Sequence, residues 1–294
     1  MSSTPTLRAS LILSARLLPA LIALIALAPA TAGAASVSTN WAGYVASPTT
    51  RGGAHFRTVS GTWVAPAATC SPGHETYAAA WVGLGGASAN ASALEQIGTD
   101  SDCTRAGDAR YSSWYELLPA EAVNLPLKIS AGDEISASVT VVAHAVTLKI
   151  RDITTGAHIT RKRRASSVDT SSAEWILEAP SVCAGEGSGS CEVLSLTDFG
   201  SLAFSSATAK IKGHKGTIED SHWSSAALEL RQGTVSASRL RARARALPSA
   251  TEILATPSPV LSASGSFTVT WQQHTREVEQ PSLPTLPAST GGAP

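Results

Sequence analysis

The chain has 294 residues, and its 22 Lys and Arg balance 22 Asp and Glu, so the formal net charge is zero. A balanced surface supplies no field to hold a nucleic acid or an anionic membrane, and neither is expected as a partner. The length suits one large domain with an ample core. A composition rich in Ser, Thr, Ala, Gly and Val, with little helical apolar periodicity, points to an all-β fold.

At the N-terminus, Arg8 and Arg16 precede an apolar run from Leu17 to Ala28, and small residues follow through Ala35. This pattern predicts a signal peptide over residues 1–32, cleaved near Gly33. The apolar run is shorter than the roughly 20 residues a spanning helix needs, so no stable membrane association is expected. The mature protein is expected to be secreted, and to be a monomer.

The four cysteines agree with export, because an oxidising compartment pairs them. Of the three connectivities, the two local ones, Cys70 with Cys103 and Cys183 with Cys191, are expected. Cys183 and Cys191 bracket a Gly- and Ser-rich loop flexible enough to close. No Cys-x-x-Cys pair or closely spaced His set accompanies the thiols, so no metal is assigned to them.

Bulky and β-branched residues place strands along the chain at Ser36 to Val45, Thr58 to Val64 and Tyr77 to Gly86. In the next one, Ala93 to Asp100, alternation puts Leu94 and Gln96 on one face and Glu95 and Ile97 on the other. Tyr111 to Pro119 is a further strand, rich in aromatics and carrying one acid, Glu116. Glu134 to Val141 and Val146 to Ile153 read as two paired strands, with a turn at Thr154-Thr155-Gly156.

The basic run Arg161 to Arg164 is expected at a solvated strand end or loop, and the alternating arginines of Arg239 to Arg245 at an exposed edge or loop. Phe199 to Phe204 and Gly265 to Trp271 close the strand pattern. Residues 273–294, rich in Pro, Ser, Thr and Gly, read as a disordered tail.

Between these lies Ala173 to Pro180, which sets Glu174 and Glu178 into an apolar run. If extended, it turns Glu174, Ile176 and Glu178 to one face and Trp175 and Leu177 to the other. A carboxylate on such a face needs solvent, a partner or a chemical purpose, since burying it alone is costly. The familiar hydrolase motifs are missing: no Gly-x-Ser-x-Gly occurs, and His74-Glu75 has no second histidine at zinc-protease spacing. Asn90-Ala91-Ser92 matches a glycosylation sequon.

Five stretches in this order resemble the glutamic peptidases of the eqolisin family. They are Asn40-Trp41-Ala42-Gly43, Ala80-Trp81-Val82-Gly83, Leu94-Glu95-Gln96-Ile97-Gly98, Trp114-Tyr115-Glu116 and Ala173-Glu174-Trp175-Ile176-Leu177-Glu178. The resemblance implies one domain over residues 36–272, an antiparallel β-sandwich of two sheets with a groove on one of them. It implies a catalytic pair, Gln96 and Glu178, and places Trp41, Trp81, Trp114 and Glu116 near the groove. It also implies an endopeptidase acting on proteins or peptides in acidic medium, without cofactor or metal.

The roles make physical sense, because Glu178 can serve as general base toward water while the Gln96 amide donates to the developing oxyanion. An ordinary glutamate is still ionised in mildly acidic medium, where histidine is not a base. Gly85 and Ser112 stand where acids are expected in fungal-type members. The competing reading is a secreted carbohydrate-binding or adhesive β-sandwich whose tryptophans stack on sugars. The joint presence of Gln96 and Glu178 separates the two, because a lectin requires neither.

Overall fold

The computed structural model describes residues 35–49, 55–88, 91–183, 190–232, 235–236, 252–261 and 264–272. The chain divides into two units, 1–33 and 34–294, and every described residue lies in the second. The expected signal peptide, the sequon at Asn90, the Arg239 to Arg245 stretch and the tail lie outside the described residues.

No helix occurs among the described residues; nineteen strands do. The N-terminal part supplies β1 (Ser36–Ser38), β2 (Trp41–Pro48), β3 (Phe56–Val64), β4 (Ala79–Gly85), β5 (Leu94–Cys103), β6 (Ala109–Leu117) and β7 (Val123–Asn124). Next come β8 (Glu134–Val142), β9 (Ala145–Asp152), β10 (His158–Arg164), β11 (Ala173–Glu178), β12 (Ser181–Cys183) and β13 (Ser190–Val193). The last are β14 (Ser201–Ile211), β15 (His214–Thr217), β16 (Trp223–Arg231), β17 (Val235–Ser236), β18 (Ile253–Pro257) and β19 (Phe267–Trp271).

One hydrogen-bonded path runs β10-β9-β8-β3-β14-β19-β18-β16-β2-β11-β4-β5-β6-β7, with β1 beside β16 and β15 beside β14. The pairing is antiparallel throughout except between β1 and β16. A smaller sheet joins β12, β13 and β17. The long path folds back on itself, so strands far apart in it meet face to face. Trp175 Nε1 of β11 donates to Ser60 O of β3 at 2.8 Å, and Trp63 Nε1 of β3 donates to Thr99 Oγ1 of β5 at 3.0 Å. Tyr44 of β2 packs edge-on against Phe267 of β19, with ring centres 4.8 Å apart. The expected two-layer sandwich is thus present, its layers continuous with each other.

The core follows from alternation. In β8, Ile135, Ala137, Val139 and Val141 are buried while Ser136, Ser138 and Thr140 stay partly open. Trp63, Trp175, Phe56, Phe199 and Phe204 fill the space between layers, each burial contributing about 1.5–3 kcal/mol. Arg161 to Arg164 lie on β10, the edge strand, where charge discourages pairing with another chain.

Cys70 and Cys103 form the expected disulfide, with Cα atoms 5.3 Å apart. The β12–β13 register sets Cys183 opposite Cys191, but their side chains lie outside the described residues.

Candidate active site

The outer face of the layer containing β2, β11, β4, β5 and β6 is built by register. One row across the strands holds Trp41, Glu178, Ala79, Asp100 and Ser112. The next holds Gly43, Ile176, Trp81, Gly98 and Trp114, and a third Val45, Glu174, Gly83, Gln96 and Glu116. All six residues assigned by resemblance therefore share one face of five adjacent strands.

Its floor is apolar. Trp41, Trp81, Trp114, Ile176, Val45 and Leu94 form a second hydrophobic cluster, separate from the inter-layer core. Trp41 and Trp81 meet edge-on, with centroids 4.9 Å apart at 78°. Gly98 makes this possible, since a Cβ there would stand 2.6 Å from Trp81 Cβ and 2.4 Å from Ala80 O. The tryptophans are thus packing residues and site residues at once.

Glu178 ends β11 with its side chain partly open to solvent. Asn40 Nδ2 donates to its Oε1 at 3.0 Å, and Trp81 Nε1 to its Oε2 at 2.8 Å. Trp41 Nε1 is near enough to favour the carboxylate's charge, but lies outside hydrogen-bond geometry. Burial, and then the Glu116 carboxylate, push the Glu178 carboxyl up to about 8 against the pull of these three donors.

Gln96 is tied to the neighbouring strand. Its Nε2 donates to Glu116 Oε2 at 2.5 Å, and burial raises Glu116 despite that bond. Gln96 Oε1 is buried without a hydrogen-bond partner among the described residues.

Two further residues join the site. Asn40 precedes Trp41 in the quoted motif, and only the fold shows that its amide holds Glu178. Asp100 accepts from Trp114 Nε1 at 2.6 Å and from Ser112 Oγ at 2.5 Å, and burial lifts its carboxyl to about 6. Both positions where the resemblance leads one to expect an acid have one alongside: Asp100 is bonded to Ser112, and Asp169 lies against Gly85 and accepts from Gly86 N at 3.2 Å.

Two open concavities, about 550 and 340 Å³, lie on the opposite layer, lined by residues such as Ser60, Thr208 and Lys215, or Ser138, Lys149 and His158. Neither lining contains a carboxyl.

The sequence profile of the Peptidase A4 family matches residues 39–241, about two thirds of the chain. The chain belongs to the Peptidase A4 family. As a member of it, the protein is a glutamic endopeptidase, a hydrolase acting on peptide bonds, and its substrates are peptides. Family membership decides against the non-catalytic binding sandwich.

The fold agrees with solved Peptidase A4 relatives. Scytalido-glutamic peptidase bound to a peptide-based transition-state analogue superposes with a TM-score of 0.60 at 22% identity, covering 80% of this chain and 98% of that one. SCP-B, an eqolisin family member in complex with the tripeptide Ala-Ile-His, gives 0.58 at 22% identity with the same coverage. No curated protein sequence matches the chain.

Proposed function

We propose that Glu178 is the proton-transfer group and Gln96 the oxyanion donor of this peptidase, with Glu116 positioning Gln96. The observation that carries this reading is the set of contacts around Glu178: a partly buried carboxyl, fixed by Asn40 and Trp81, that feels the charge of Glu116 of the Gln96–Glu116 pair. The ionised Glu178 takes a proton from a water, whose oxygen bonds to the scissile carbonyl carbon. The carbonyl π pair moves onto oxygen. Gln96 Nε2 has two N–H bonds; one is committed to Glu116, and the other is left to meet that oxyanion. Glu178 then returns its proton to the departing nitrogen as the C–N bond breaks, giving an acid and an amine.

Burial alters the expected pH logic. An ordinary glutamate is ionised in mildly acidic solution, but a carboxyl pushed up to about 8 is mostly protonated there. A raised pKa makes the ionised fraction a stronger base. Against this, the neighbouring buried acids favour the folded chain at low pH, so we place the working range on the acid side of neutrality. The mature enzyme is proposed to be a secreted monomer without stable membrane association, after removal of residues 1–32. The Cys70–Cys103 bond supports an oxidising compartment.

The test is cleavage of a denatured protein by wild type and by Glu178→Gln across the pH range, with intact-mass analysis of the secreted form. Full activity in Glu178→Gln rejects the mechanism, and retention of residues 1–32 rejects the export reading.

A further inference from the structure

His214, Asp220 and His222 lie away from the peptidase face, at the turn between β15 and β16. β15 folds back on β14 with His214 opposite Ile211, and the chain then turns through residues 218–222 into Trp223. That turn is anchored. Trp223 is buried against Phe56, with ring centres 5.4 Å apart, and its Nε1 donates to Thr217 O at 3.0 Å and Ile218 O at 2.9 Å. Asp220 N donates to Thr217 O at 3.2 Å.

On this scaffold the three side chains converge. Asp220 Oδ2 lies 2.9 Å from His214 Nε2, and Asp220 Oδ1 lies 2.8 Å from His222 Nδ1. The two imidazoles stack at 3.6 Å, inclined by 26°, which turns both nitrogens toward the same carboxylate. All the donor atoms fall within 4.8 Å of one another. Gly216 opposite makes the approach possible, because a Cβ there would stand 2.1 Å from Asp220 Oδ2. The side chains of His214, Asp220 and His222 are 33%, 18% and 50% exposed, so an ion has an entry path and water can complete its coordination.

We infer that His214 Nε2, His222 Nδ1 and the Asp220 carboxylate form a binding site for a divalent transition-metal ion, Zn²⁺ being the representative. Two imidazoles and one carboxylate make a borderline N/O donor set that suits Zn²⁺ and its first-row neighbours. Ca²⁺ and Mg²⁺ prefer oxygen alone.

Metal–ligand bonds of about 2.0–2.1 Å on a tetrahedron put neighbouring donors about 3.3 Å apart. The present N···O separations of 2.8 and 2.9 Å need a few tenths of an ångström of opening, and the stacked imidazoles must part further to admit the ion, movements that partly exposed side chains can supply. Entry of the ion displaces the hydrogens lying between ring nitrogens and carboxylate: a neutral imidazole carries its hydrogen on the other ring nitrogen instead, and an imidazolium gives up one proton.

The site is remote from catalysis. Trp223 pairs with Pro48 at one end of β2, while Glu178 pairs with Trp41 at the other, about 23 Å along the strand. Its effect is to clamp β15 to the start of β16 by mass action on the folded state.

The experiment titrates Zn²⁺ calorimetrically, and Co²⁺ by visible absorption, into chelator-treated full chain near neutral pH. The expected result is one ion per chain, visible Co²⁺ bands of an N/O environment, and a melting temperature that rises with Zn²⁺. His214→Ala and His222→Ala should each weaken binding by about tenfold or more. His222 is half exposed, so its variant serves if His214→Ala folds poorly; the metal-free melt of each checks this. If wild type binds no more Zn²⁺ than the His214→Ala/His222→Ala double variant, the trio is a hydrogen-bonded cluster and the proposal is overturned.

Discussion

Glu116 Oε2 accepts a hydrogen bond from Gln96 Nε2 at 2.5 Å, across the β5–β6 ladder at the same register position, while its charge bears on Glu178. One carboxylate thus orients the proposed oxyanion donor and holds up the pKa of the proposed base. Replacing it separates the two effects. In Glu116→Gln the acid limb of kcat/KM should move to lower pH, because the repulsion that disfavours ionised Glu178 is gone, and the plateau should fall as Gln96 loses its orientation. A pH–rate profile reads both. An unmoved limb would mean that Glu116 acts on packing alone.

Trp81→Phe should shift the limb the other way. It keeps a ring on the apolar floor but removes the N–H that stabilises the carboxylate, so the Glu178 pKa rises and the limb moves to higher pH. Asn40→Ala should do the same from Oε1. Opposite displacements in Glu116→Gln and Trp81→Phe would identify Glu178 as the group behind the limb; parallel ones would point to another residue.

The pair itself sets the largest effects. Glu178→Gln should lower peptide hydrolysis by roughly 10²- to 10⁴-fold, the range general-base catalysis supplies. Gln96→Ala should cost about 10²- to 10³-fold, as loss of an oxyanion donor does. Both should melt close to wild type. Equal hydrolysis by Gln96→Ala and wild type at saturating and low substrate would remove Gln96 from the mechanism.

Thermal stability should fall as pH rises. Burial pushes Glu95 to about 8 and Asp102 to about 7, and Glu174 well above the ordinary carboxyl range. These groups keep their protons in the folded chain at pH values where the unfolded chain has released them. The folded state therefore binds more protons between about pH 4.5 and 8, and stability declines with rising pH through that window. Each tenfold difference in a group's proton affinity between the folded and unfolded chain accounts for about 1.4 kcal/mol of that decline. The contribution is fully present below the unfolded values. Glu174 and Glu95 are wholly buried, and no carboxyl oxygen of either has a partner in hydrogen-bond geometry among the described residues. Glu95→Gln should consequently flatten the dependence of melting temperature on pH. A melting temperature that rises steadily from acid to alkaline solution would contradict the assignment.

Glu174 also shows the limit of pattern reading. It shares a strand face with Glu178 by alternation, yet one carboxyl is sealed and the other partly open. Period-two alternation is a property of the local backbone, so strand identity, the split of Gln96 from Glu95, and the shared face of Glu174, Ile176 and Glu178 were readable from residue order alone. So were the ordered motifs that carry the family resemblance, because each is a short run of contiguous residues.

What the fold decided lies across ladders. Asn40 reaches Glu178 over 138 residues of chain and Trp81 reaches it over 97, and no local pattern encodes which donor meets which oxygen. The upward shift of Glu178 depends on burial and on Glu116 two strands beyond β4, neither of which residue order displays. The convergence of His214, Asp220 and His222 is likewise a product of a turn pinned by the buried Trp223 ring, which brings scattered histidines onto one carboxylate. Sequence order determines which side chains can face the same way; long-range register and burial determine which of them meet and in what state of charge.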